Sequence, residues 1–229
     1  MEECAVPFEI QTIDLQNKPK EFLDLYKLAN PLIDARSKVP LLEDRSSSDD
    51  VTILCESLVV TDYVAERYGG GSLHPPTASD QAKARLFTEV CSPLFTYFPI
   101  LRAAEGDDLV AATKTYKDGL VNVDAFLRGV TGDDADDGVG GPFLLGKRFS
   151  TAECNSAPFV QRACTVLPEF AGIDPLQMCD ELGLVRLKSW MEAVLSRPSV
   201  VATGVPRETM LTSTSKMLER FAAMPVEKK

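Results

Sequence analysis

Residues 69–80, GGGSLHPPTASD, constrain this 229-residue chain more than any other stretch. Three consecutive glycines followed by a Pro-Pro pair interrupt both helix and central strand, so the sequence on either side must fold as separate pieces. The periodicity also changes there. Upstream, FEIQTIDL (8–15) alternates apolar and polar positions and suits a strand. PKEFLDLYKL (19–28) opens with a proline and spaces Phe22, Leu25 and Tyr26 as a helix does. VPLLED (39–44) and VTILC (51–55) flank RSSSDD and read as an antiparallel hairpin; ESLVVTDYVAERY (56–68) is a helix with Val60, Tyr63 and Val64 on one side, stopped by Gly69-Gly70-Gly71. Downstream only helices are expected, over 80–104, 108–130, 150–168, 176–197 and 208–223, with Pro93 and Pro99 kinking or breaking the first. The expectation is an α/β domain followed by an all-α domain, with no internal repeat.

Several functional classes are excluded by what the chain contains. A net charge of −10 provides no basic face for nucleic acid. No stretch approaches the apolar length of a membrane span, and MEECAVPFEI lacks the basic-then-apolar pattern of a secretory signal. The six cysteines, at 4, 55, 91, 154, 164 and 179, include no CxxC pair. They read as reduced thiols of a cytoplasmic protein, mostly buried as small apolar groups. His74, the single histidine, stands in the GSLHPP turn and reads as a surface residue of the linker. One histidine supports neither a His-based metal site nor Ser-His-Asp or Cys-His catalysis, so no metal is expected. TGDDADDGVGG (131–141) is a solvated acidic loop whose aspartate spacing does not match an EF-hand.

Four segments carry a resemblance. Leu15-Gln16-Asn17-Lys18-Pro19 follows the expected strand; Asn30-Pro31 is followed by Lys38-Val39-Pro40; Glu56-Ser57 opens a helix directly after the hairpin; and FLLGKRFSTAE (143–153) precedes APFVQR (157–162). Together they resemble the soluble glutathione transferase superfamily, nearest its omega-like and lambda-like branch, over about residues 5–200. The resemblance implies a thioredoxin-like glutathione-binding domain over 1–72 and an all-helical C-terminal domain over 73–229. It implies glutathione as co-substrate, bound by Lys18, Val39, Pro40, Glu56 and Ser57. Lys18 would meet the glycine carboxylate of the tripeptide. A cis Val39-Pro40 bond would let the backbone of Val39 pair with the cysteinyl unit as an added strand does. Ser57 and the start of its helix would take the γ-glutamyl carboxylate, and Glu56 the ammonium. In the helical half, Ser150 would cap a helix, Glu153 would reach back to it, and Phe149 would pack onto its first turns. Many members carry aspartate at the Glu153 position, and the stretch Leu32–Lys38 is longer than the family's usual turn.

The same resemblance marks a gap. The family's thiol-activating residue stands at the start of the first helix, where the helix terminus lowers a thiol's pKa. Glu2–Pro7 corresponds to the tail of that helix, so the chain is expected to lack the first strand and most of the first helix, leaving 8–15 without its partner strand. Cys4 then lies at the wrong end to be the nucleophile, Cys55 belongs to a hairpin strand, and the catalytic residue is unknown. Two functions follow: a glutathione-dependent transferase or thiol reductase (conjugation, dehydroascorbate or disulfide reduction), or a non-catalytic interaction module of the same fold. The second substrate would be a small electrophile or oxidised thiol, with Phe87, Phe95 and Tyr97 as possible lining. Family members commonly form homodimers.

Overall fold

The computed structural model describes the whole chain apart from residues 33–35, 47–50, 92–95, 104, 132–139 and 224–229. Pro93 and Phe95, most of the acidic loop, the hairpin tip and the middle of the Leu32–Lys38 stretch lie outside the described residues. The chain divides into two units, Met1–His74 and Pro75–Lys229.

The first unit begins with a 3-10 turn, Glu2–Cys4, and an irregular segment reaching residue 19. The strand expected over 8–15 is absent: the segment has no ladder partner and most of its side chains are exposed, Ile10 to 81%. The physical reason is simple, since alternation gives a strand its faces but only a neighbouring strand gives it hydrogen bonds. Helix α1 (Lys20–Ala29) follows Pro19, whose fixed φ suits the position before the first turn. Phe22 and Tyr26, one turn apart, are its buried residues, with ring centroids 6.1 Å apart. Strands β1 (Leu41–Asp44) and β2 (Thr52–Cys55) form an antiparallel pair in the register Leu41↔Cys55 to Asp44↔Thr52. Helix α2 (Ser57–Tyr68) leaves β2 at once and buries Val64 and Ala65. It ends at Gly69, where a side-chain carbon would stand 2.3 Å from the Ala65 carbonyl oxygen, so any larger residue is excluded there. His74 is half-buried rather than free on the surface, with Nε2 3.2 Å from the Asp62 carbonyl of α2.

The second unit is helical: α3 (Ala78–Val90), α4 (Phe98–Arg102), α5 (Asp107–Thr131), α6 (Thr151–Ala171), α7 (Pro175–Leu182), α8 (Val185–Ser196), α9 (Pro198–Thr203) and α10 (Arg207–Ala223). Pro99 does not kink a helix but stands in the first turn of α4, where its missing N–H costs nothing. The single helix expected over 176–197 is two, because Gly183 takes a left-handed φ of 68° and closes α7. The core centres on Trp190, fully buried, with Phe87 edge-on at 5.2 Å. Beneath them lies a polar knot at the start of α6. Ser150 and Glu153 form the expected capping box. Glu153, fully buried, accepts from Leu144 N (2.8 Å), Ser150 N (2.9 Å), Ser150 Oγ (2.9 Å) and the Trp190 indole N–H (3.1 Å). Phe149 packs edge-on to Phe143 at 5.2 Å, and the Arg197 guanidinium lies 4.8 Å from its ring centre. Buried Arg186 donates to the carbonyls of Pro142 and Phe143, and buried Asp124 accepts from Leu187 N at 2.9 Å. Among the described residues no helix is long and apolar enough to cross a membrane.

Candidate functional site

The hairpin register decides where the four predicted pieces meet. Leu41 opens β1 and stands opposite Cys55, which closes β2. Val39-Pro40 and Glu56-Ser57 therefore leave the hairpin at the same end. The Val39-Pro40 bond is cis, and Val39 is 48% exposed. Lys18 is half-buried, and its ammonium donates to the Ser37 carbonyl at 2.7 Å, with Ser37 Oγ at 3.4 Å. That contact ties the cation to the segment two residues before Val39. Lys18, Val39, Pro40, Glu56 and Ser57 are thus gathered at one end of a two-stranded ribbon.

Glu56 holds a left-handed backbone, φ 70°. For a residue with a side-chain carbon this costs roughly 1–2 kcal/mol, and such strain concentrates at binding sites. The turn is what lets β2 pass straight into α2. The Glu56 carbonyl already accepts from Val60 N at 3.0 Å, while no side chain caps the helix and no acidic residue occupies its first turn. Simple capping therefore does not explain Glu56-Ser57. The exposed amide end of α2, with the Ser57 hydroxyl beside it, is suited to an anion. A carboxylate one residue earlier suits a neighbouring cation. An anion and a cation side by side are the two charges of a free amino-acid end.

Behind this end of the ribbon stands Tyr26, buried on α1. Burial pushes its phenol up, and contacts with the Cys55 thiol and the nearby Glu56 charge act in the same direction. At the opposite end of β1, Asp44 accepts from the hydroxyls of Tyr63 (2.7 Å) and Tyr68 (2.5 Å) and from Ser46 N (2.8 Å). The Tyr68 hydroxyl, then the Ser46 amide, hold its carboxyl well below the usual carboxylate range. Neither Tyr26 nor Asp44 emerges from sequence reading. A tyrosine on a helix face and an aspartate at a strand end each have an ordinary explanation, and only the fold shows what they touch.

None of the six cysteines is in a disulfide, and only Cys91 and Cys179 are fully buried. Cys4 Sγ lies 4.0 Å from the Val64 carbonyl, within α2 rather than at a helix start. Cys91 is pushed up by burial, and Cys164 and Cys179 are pushed up to about 12, again chiefly by burial. Thiols of that kind are poor nucleophiles. Phe87 and Tyr97, expected as possible lining, are buried within the second unit. A shallow groove along α1, lined by Lys20, Glu21, Asp24, Leu25 and Leu28, shares no residue with the gathered set. No cluster of three metal-ligating side chains occurs among the described residues.

Comparison with known proteins agrees with this architecture. The family model described as glutathione S-transferase, N-terminal domain, matches residues 1–67. The chain is 26% identical over 211 residues to the Arabidopsis thaliana protein named glutathione S-transferase DHAR3, chloroplastic, covering 92% of this chain and 67% of that one. It is also 26% identical to the rice (Oryza sativa subsp. japonica) protein named probable glutathione S-transferase DHAR1, cytosolic, covering 92% and 82%. Among solved structures, the tau class glutathione S-transferase of mango, Mangifera indica, superposes with a TM-score of 0.73 at 19% identity, covering 94% of this chain and 88% of that one. That likeness shows the fold: a thioredoxin-like unit followed by a helical one.

Proposed function

We propose that this chain belongs to the soluble glutathione transferase superfamily and uses glutathione as co-substrate in a glutathione-dependent transferase or thiol reductase reaction. The observation that carries the reading is the convergence of Lys18, Val39-Pro40 and Glu56-Ser57 at one end of the β1–β2 ribbon. Glutathione has a carboxylate at each end, an ammonium beside one of them, and a peptide backbone between. The α2 terminus with Ser57 takes the γ-glutamyl carboxylate, Glu56 its ammonium, the Val39 backbone the cysteinyl unit, and Lys18 the glycine carboxylate. The DHAR designation carried by both plant relatives, read as dehydroascorbate reductase, favours the reductase arm. There, two glutathione thiols give up two electrons and two protons and form one disulfide, while dehydroascorbate takes up both electrons and one proton to become ascorbate, the second proton passing to solvent. In the transferase arm the glutathione thiol gives up its proton and its sulfur bonds to a small electrophile, which either expels a leaving group that carries off the electron pair or adds across a double bond and takes up a proton. The protein acts away from membranes and nucleic acid, as a homodimer; the two plant names divide between cytosol and chloroplast, and we favour the cytoplasm.

The non-catalytic alternative draws on the thiols raised by burial. One experiment separates the two: calorimetric titration of the full chain with glutathione, alongside glutathione-dependent reduction of dehydroascorbate. Binding with turnover supports the enzyme, and binding without turnover supports the module. Wild type and Glu56→Ala binding equally would remove Glu56 from the site. The absence of any binding would end the reading altogether.

A further inference from the structure

The two walls of the gathered site belong to different elements: Val39-Pro40 leads into β1, and Ser57 begins α2. Among the described residues, no side-chain hydrogen bond or ion pair joins Val39-Pro40 to Ser57. The two elements are fastened at the other end. Asp44, the last residue of β1, pairs in register with Thr52 and receives the hydroxyls of Tyr63 and Tyr68 from the second half of α2. The Tyr68 oxygen also lies 2.8 Å from Ser46 Oγ, and Ser46 N donates to the other carboxylate oxygen. Helix α2 thus runs back along the ribbon and is clasped to its far end by one carboxylate.

We infer that Asp44 is a positioning residue for glutathione binding, setting the helix start at Ser57 against the Val39 backbone through its clasp on Tyr63 and Tyr68. This rests on the glutathione reading above. The reasoning is that of a lever. The burial of Val64 and Ala65 is non-directional, so without the clasp the helix can swing about the Glu56 turn, and a swing moves the amides of 57–59 relative to Val39. Two hydroxyl bonds on one carboxylate, 6 and 11 residues beyond Ser57, remove that freedom. Either bond alone leaves a pivot, whereas two fix the helix in both rotation and tilt. A carboxylate serves the whole clasp because Oδ2 accepts both hydroxyls while Oδ1 accepts from Ser46 N. In asparagine the oxygen that keeps both phenols forfeits the Ser46 bond, because the amide nitrogen would then face the Ser46 N–H.

The test compares wild type, Asp44→Ala and the double variant Tyr63→Phe/Tyr68→Phe by calorimetric titration with glutathione and by hydrogen exchange without it. Positioning predicts an affinity loss of roughly two- to thirtyfold at unchanged stoichiometry, the range for residues that act on a site without touching the ligand. It also predicts faster exchange at amides 56–60 in both variants. A merely structural role predicts reduced stoichiometry at unchanged affinity, which overturns the inference. Unchanged exchange at 56–60 overturns it whether or not glutathione binds. Wild type failing to bind glutathione removes the reading beneath it, an outcome distinct from the variants matching a wild type that binds.

Discussion

The knot around Glu153 offers the sharpest test of what holds the helical unit together. The carboxyl is fully buried and serves four donors, three of which cannot turn away: Leu144 N, Ser150 N and the Trp190 indole N–H. Glu153→Ala leaves those three buried and unmatched. At about 1–3 kcal/mol for each orphaned donor, the loss is at least about 3 kcal/mol, a large share of a total stability near 5–15 kcal/mol. Glu153→Gln keeps one acceptor oxygen but turns an amide N–H₂ toward donors on the other side, so its loss is roughly half that of alanine. The assay is built in, because Trp190 is the single tryptophan and donates to Glu153 itself. Urea unfolding followed by its fluorescence reads the knot directly. The pH dependence has a definite sign. Burial, opposed by its donors, pushes the Glu153 carboxyl up from 4.5, so the native state holds this proton more tightly than the unfolded chain. Its contribution is complete below 4.5 and declines as pH rises through the folded value, so the gap between wild type and Glu153→Gln narrows on going up in pH. An alanine variant within 1 kcal/mol of wild type, or a glutamine variant as unstable as alanine, would refute the reasoning.

Three other outcomes are expected. Glu56→Ala weakens glutathione binding about ten- to a hundredfold, as loss of one charged contact does, whereas Glu56→Gly weakens it equally but raises the unfolding midpoint by relieving the left-handed backbone; calorimetry and thermal unfolding measure both. Asp44, whose carboxyl is held well below 3.8, contributes stability that is present above 3.8 and is lost below it, as pH falls towards and through the lowered folded value. Far-ultraviolet dichroism should therefore show wild type losing structure below about pH 4 more steeply than Asp44→Asn. Light scattering at micromolar concentration should return twice the 25.0 kDa chain mass, and a monomer would count against the homodimer.

Period and punctuation made most of the fold legible. Phe22 and Tyr26 at a one-turn interval, the β-prone runs about RSSSDD, and the capping box at Ser150 and Glu153 all correspond to elements in the structure. Residues 8–15 show the limit: alternation describes one strand's faces and is silent about its neighbour. Gly183 shows another, since apolar spacing continues across a helix break that only a left-handed φ reveals. At the gathered site, residue types suggested charges for glutathione, but the sequence could not reveal the φ of Glu56 or the hydroxyls converging on Asp44. Those depend on how α2 lies against the ribbon, a property of packing rather than of any local pattern.

The pairing of Leu41 with Cys55 makes the ribbon a caliper whose jaws are Val39 and Glu56. A slip of one residue would slide the jaws about 3.4 Å past each other and turn every side chain of the moving strand to the opposite face. The opening is therefore quantised, and no series of small slips can tune it. Lengthening the chain beyond Asp44 and Thr52 only extends the handle, but an insertion within either strand resets the jaws. Divergence in this protein should accordingly concentrate length changes at the handle, leaving Leu41–Asp44 and Thr52–Cys55 at fixed count.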